Sequence, residues 1–264
     1  MSVALGLDWS GAQDPGRKIW AAWVELPHPN GGSSPDAQAG ATLLELRRPF
    51  AGLRSPRAVA EGFGQWLGEQ EFDVAGLDFC FGLHASHMAA LGLPQTGPAA
   101  AGAALLQSFA QPDAFKAAVG GELRRQTDRR CRAPFAPTNW RMYRQTFWGL
   151  AALAGVPGPF PPWDPPGPRS VVEVLPALLA RKLCPGVPYK AREPAGRERL
   201  LSELERRLGL RLSCEQRAQL IADTQGDAID AVLAALTAGA VLATGFEGAP
   251  EDAQQSGEGW IYTA

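Results

Sequence analysis

Cysteine, histidine, methionine and tyrosine are all scarce in this 264-residue chain, with 4, 3, 3 and 3 copies respectively. The cysteines, Cys80, Cys131, Cys184 and Cys214, stand far apart with no C-x-x-C among them. That spacing argues against a structural zinc site and for reduced free thiols. Charge of one sign is lacking too. A net charge of −2 gives no global field to draw the protein onto nucleic acid. No basic lead precedes the first apolar run, which meets Asp8 at once, so a secretory signal is not expected. The longest apolar stretch, "AIDAVLAALTAGAVLATG", contains Asp230 and is too short and Ala-rich to cross a bilayer comfortably. A soluble, cytoplasmic protein without membrane contact is the expectation.

What is present suits one large domain over residues 1–264, with 45% hydrophobic and 20% charged residues. "VALGLDWSGA" reads as a buried strand that ends in a carboxylate, Asp8. Such an acid is costly unless a charge meets it or it bonds its own backbone in the turn that follows. "RKIWAAWVEL" and "ATLLELRRPF" read as second and third strands in an antiparallel meander, joined by a Gly/Ser/Pro loop expected to be mobile. Ser55 and Pro56 start a helix whose Val59, Phe63, Trp66 and Leu67 face the sheet. "FDVAGLDFCFGL" is then a fourth strand, parallel to the first and interrupted by Asp78.

Residues 84–169 read as a helical, Arg-rich insertion closed by the proline-rich connector "VPGPFPPWDPPGP". It includes a helix from about Asn139, with Trp140, Tyr143, Phe147 and Leu150 on one face, a stripe that helical spacing assigns to the core ahead of a base-stacking platform. Seven arginines fall between residues 124 and 144: Arg124, Arg125, Arg129, Arg130, Arg132, Arg141 and Arg144. They form a candidate local patch for a nucleic-acid backbone, although Arg141 and Arg144 suit an ordinary solvated face equally well. A fifth strand follows at residues 170–175, then a helix from Pro176, another capped by Ser213 and Gln216, a last helix carrying Asp227 and Asp230, and a short tail.

Asp8 and Asp78 belong side by side on adjacent parallel strands, and a helix packed across them would bring Asp230, with Asp227, to the same edge. Clustered carboxylates repel, and a hard divalent cation relieves the conflict. Mg²⁺ and Mn²⁺ favour such oxygens, and two ions about 3.5–4 Å apart can activate water and stabilise the leaving oxygen of a phosphodiester. His84 and His87 follow the fourth strand and could approach this site, but no third His lies nearby. Ser10 lacks the setting of a nucleophile elbow.

This order of strands and acids resembles the RNase H-like fold of RNase H, Holliday-junction resolvases and integrases. More closely, "GLDWSGA", "GLDFCFGL", "TDRRCR" with "APTNWR", "VVEVLPALL", "DAIDAVLAALTA" and "EGWIY" resemble a widespread family of predicted RNase H-like nucleases. The likeness runs from residue 3 to residue 262. It implies a mixed five-stranded sheet flanked by helices, an insertion between strands 4 and 5, and two Mg or Mn ions held by Asp8, Asp78, Asp227 and Asp230. It also implies a role for Glu173, either as a further ligand or as a carboxylate paired with an Arg. Phe79-Cys80-Phe81 departs from the Pro that relatives often show after the fourth-strand acid. Three functions follow as expectations: a metal-dependent nuclease gripping nucleic acid through the arginines, a non-catalytic module for nucleic acid or protein, and a hydrolase of small phosphate esters or nucleotides.

Overall fold

Ala4, Gly6 and Asp8 face one side of the first strand, and Leu5, Leu7 and Trp9 the other, because successive side chains alternate across a pleated strand. That alternation organises the core into two layers, one on each side of a single sheet. The computed structural model describes residues 1–27, 40–250 and 253–264, so the loop expected to be mobile lies outside the described residues except for Gly40.

Strands β1 (Ser2–Asp8), β2 (Trp20–Leu26) and β3 (Thr42–Arg47) form the antiparallel meander. Helix α1 (Pro56–Gly68) starts where Ser55 Oγ accepts a hydrogen bond from the Ala58 amide at 3.3 Å, and it leads to β4 (Val74–Asp78), parallel to β1. Five short helices then occupy the segment before β5: α2 (Ala85–Ala90), α3 (Pro98–Ser108), α4 (Pro112–Val119), α5 (Gln126–Arg130) and α6 (Tyr143–Leu153). β5 (Ser170–Val174) extends the sheet parallel to β4. Helices α7 (Pro176–Leu183), α8 (Ala195–Leu208), α9 (Cys214–Ala222) and α10 (Asp227–Ala243) follow, with the Ser213/Gln216 capping box formed at the start of α9.

The chain closes with α11 (Ala253–Ser256) and β6 (Ile261–Tyr262). The sheet therefore has six strands among the described residues, in the order β3-β2-β1-β4-β5-β6, rather than the five expected. The tail pairs in parallel with β5, Glu173 opposite Ile261, because Trp260, Ile261 and Tyr262 bury their side chains there. α1, α3 and α6 pack on the Leu5/Leu7 side, and α7, α8 and α10 on the Ala4/Gly6 side. No single helix among the described residues is long and apolar enough to cross a membrane.

The helix expected from Asn139 begins only at Tyr143. The Asn139 side chain accepts a hydrogen bond from the Arg141 amide at 2.9 Å, and its carbonyl takes the Met142 and Tyr143 amides. A local side-chain bond of this kind holds the backbone in a turn in place of a helix. Phe147 and Leu150 are fully buried as expected, but Trp140 is turned outward and is 65% exposed.

Candidate metal centre

β1 and β4 end at the same level, with Asp8 directly paired to Asp78. Each acid follows a glycine by two positions, in Gly6-Leu7-Asp8 and Gly76-Leu77-Asp78, so glycine and acid share a face. A Cβ on Gly6 would lie 2.0 Å from the Ala231 carbonyl oxygen, and one on Gly76 would lie 2.6 Å from that of Ala234. The glycines thus let the Ala-rich α10 backbone rest on the sheet. That close approach brings Asp230, one turn into α10, over the strand ends. A carboxylate oxygen from each of Asp8, Asp78 and Asp230 lies within 4.8 Å of the other two.

Burial, and after it the Asp230 charge, pushes the Asp8 and Asp78 carboxyls well above the ordinary Asp range, Asp78 to about 8. Asp230 is also raised by burial, against the opposing pull of Lys190. Lys190 forms an ion pair with Asp230 Oδ2, and the Tyr189 hydroxyl donates to Oδ1 at 2.6 Å. One ammonium facing three clustered acids leaves negative charge uncompensated. The donors are all carboxylate oxygens, the hard set that divalent cations of the Mg²⁺, Mn²⁺ and Ca²⁺ type prefer. This buried triad could hold a metal ion. Asp227, the first residue of α10, lines the same cavity and is raised to about 6, by burial first and then by Asp223. Asp223 itself accepts the Ala228 amide at 2.7 Å, so it caps α10 and leaves Asp227 free of that task. The turn after β1 is likewise served by another residue: Ser10 Oγ accepts the Ala12 amide at 3.2 Å.

Glu173 is set apart from the triad in its bonding. Its two carboxylate oxygens accept from Arg125 at 2.5 and 2.7 Å, and Oε2 also accepts the Phe81 amide at 2.9 Å. Of its two expected roles, the Arg-paired one is the arrangement found. Arg125 is correspondingly no surface phosphate contact. It is fully buried, and its guanidinium donates to Asp128, Glu173 and the Glu258 carbonyl. Glu258 in turn accepts the Ala85 and Gln126 amides, so the network stitches the β4–β5 segment and the tail to the sheet.

The remaining arginines do not form one patch. Arg124 donates to the Ala133 and Pro134 carbonyls, and Arg129 to that of Arg124. Arg130 stacks on Trp260 and, with Arg132, lines a separate depression. Only Arg141 and Arg144, besides the buried Arg125, line the cavity that holds the acids. Arg144 also pairs with Asp113. His84 caps α2 through Nδ1, with its Nε2 3.7 Å from Glu258, and neither it nor His87 lines that cavity.

Several residues of the site are missing from the sequence reading. Lys190 and Tyr189 come from the loop between α7 and α8, which carries no motif. Gln145 of α6 donates to the Trp9 and Asp78 carbonyls, both at 2.9 Å, and so ties the two strand ends together. The repeated Gly-x-Asp was a legible signal for the close helix, since glycine two residues before a buried acid leaves the same face open.

A family model matches residues 36–255, described as "Protein of unknown function (DUF429)". The chain belongs to the DUF429 family. Asp78, Glu173, Asp227 and Asp230 fall within the matched span of this DUF429 protein, while Asp8 and β6 lie outside it. No curated protein and no solved structure matches the chain.

Proposed function

We propose that this DUF429 protein is a divalent-metal-dependent nuclease on an RNase H-like scaffold, hydrolysing nucleic-acid phosphodiester bonds in the cytoplasm. The observation that carries this reading is the convergence of Asp8, Asp78 and Asp230, from two parallel strand ends and one helix, within a cavity large enough for a substrate. The meander β1–β3 followed by parallel β4 and β5 supports the scaffold, with β6 as an addition. Asp8, Asp78 and Asp230 would hold two Mg or Mn ions, with Asp227 completing the set. Such ions supply an activated water and stabilise the leaving oxygen. Gln145 fixes the spacing of the two strand ends, while Arg141 and Arg144 give the cavity wall positive charge for a phosphodiester. Four free cysteines support an intracellular setting.

The test is titration calorimetry with Mn²⁺, paired with cleavage of labelled single- and double-stranded DNA and RNA by the wild type and Asp8→Asn. Saturable Mn²⁺ binding and cleavage, both lost in the variant, are expected. Binding without cleavage of any substrate would favour a non-catalytic module, and cleavage of p-nitrophenyl phosphate alone would favour a small-ester hydrolase. The absence of both binding and cleavage would remove the nuclease reading.

A further inference from the structure

Trp140 is the only aromatic residue among the large apolar side chains exposed in the described residues. A tryptophan held largely in water forgoes the burial that usually stabilises so large a side chain. The exposure is not a frayed loop. Asn139 bonds the Arg141 amide and, through Nδ2, Glu122 at 2.8 Å; Lys116 fixes the Thr138 carbonyl at 2.7 Å. The turn thus holds the backbone that carries the indole. Arg141 lies over it, guanidinium carbon 4.9 Å from the indole centre and 5.3 Å from that of Phe135. Trp140, Arg141 and Phe135 line the same cavity of about 750 Å³ as Asp8, Asp78 and Asp230.

We infer that Trp140 and Arg141 are a stacking platform for an unpaired nucleobase, and that the substrate of the acidic centre is a single-stranded nucleic acid. The inference rests on the nuclease reading and adds the substrate class to it. An indole and a guanidinium stack with any base face, whatever the sequence, and a cation beside them meets the phosphate chain. Bases within a duplex are already stacked on one another and show a protein only their edges. A ring platform in the wall of a cavity therefore selects a strand whose bases are free. A protein partner would also cover an exposed tryptophan, but the platform shares its cavity with the acids, where a phosphodiester has a use and a protein surface has none.

The experiment measures fluorescence anisotropy of a labelled 16-nucleotide thymidine oligomer and of a duplex hairpin closed by a non-nucleotide ethylene glycol loop, in Ca²⁺, with wild type, Trp140→Leu and Trp140→Tyr. One base stack lost at 1–3 kcal/mol corresponds to about a five- to 150-fold weakening. Trp140→Leu should weaken single-strand binding by at least about fivefold and leave hairpin binding unchanged, while Trp140→Tyr keeps most of the affinity. Because the side chain is exposed, the melting temperature should not fall. Equal single-strand affinity in wild type and Trp140→Leu, or tighter binding of the hairpin than of the oligomer, overturns the inference and returns Trp140 to a protein interface. Cleavage that survives alongside such equality would leave the nuclease reading standing. Trp140-dependent binding by a protein that cleaves nothing would uphold the platform and remove the nuclease.

Discussion

Gly6 and Ala231 leave no room for a side chain between strand and helix: a Cβ on the glycine would stand 2.0 Å from the alanine carbonyl oxygen. The acidic centre depends on this contact, because Asp230 sits one residue before Ala231 and is carried to the strand ends by it. Gly6→Ala should force α10 off the sheet. Overpacking of this kind costs about 1–3 kcal/mol, read from urea unfolding. Calorimetry should also show weaker Mn²⁺ binding, since Asp230 withdraws from Asp8 and Asp78. Unchanged stability and unchanged binding would mean that α10 does not need this approach.

The raised carboxyls set a pH dependence. Asp8, Asp78, Asp227 and Asp230 hold protons more tightly folded than unfolded, so their contribution to stability is complete below the ordinary Asp range. It is lost as pH rises through the folded values, which include about 6 for Asp227 and about 8 for Asp78. In EDTA, the wild type should therefore lose stability between pH 5 and pH 8 relative to Asp8→Asn. Two charges 4 Å apart at an effective dielectric near 20 interact by about 4 kcal/mol, and protonation and water would leave about 1 kcal/mol in favour of the variant at pH 8. Mn²⁺ should reverse the order. Melting curves at the two pH values, with and without metal, decide it; a variant less stable in EDTA at pH 8 would deny the repulsion.

Lys190 pairs with Asp230, one of the carboxylates that an entering cation would use. Its side chain is half exposed, and a partly exposed ion pair is worth at most about 1 kcal/mol. Lys190→Met removes that competitor, so Mn²⁺ should bind up to about fivefold more tightly. Calorimetry against wild type makes the comparison. Weaker binding in the variant would assign Lys190 to holding the acids in place.

Arg125 and Glu173 offer a contrast with the exposed arginines. Arg125→Met leaves Glu173 and Asp128 buried without their partner, at a cost of about 3–5 kcal/mol in urea unfolding. Arg130→Ala, on the surface, should change stability by no more than about 1 kcal/mol, the worth of its exposed stack on Trp260. Were Arg125 a phosphate contact, its loss would instead flatten the salt dependence of nucleic-acid binding and spare the fold.

The sequence by itself determined the local elements that carry the site. Apolar runs ending in Asp8 and Asp78, the Ser55-Pro56 start of α1 and the Ser213/Gln216 box are short-range signals, and each element forms where its residues predict. The parallel pairing of β1 with β4 was legible too, since a strand, a helix and a strand in that order return the chain to the same sheet. Only the tertiary structure decided which charges meet. Arg125 looks like its neighbour Arg124 in sequence, yet one is in the core and the other at the surface, because Glu173 arrives from β5 and Glu258 from the tail before β6, both far along the chain. Lys190 reaches Asp230 from a loop without a pattern, and the tail becomes β6 only because β5 offers it an open edge. Trp140 lies outside the helix because the Asn139 side chain accepts the Arg141 amide, a local competition that periodicity cannot register. Secondary structure is written in spacing along the chain, whereas the partners of a buried charge are set by long-range packing, which spacing does not encode.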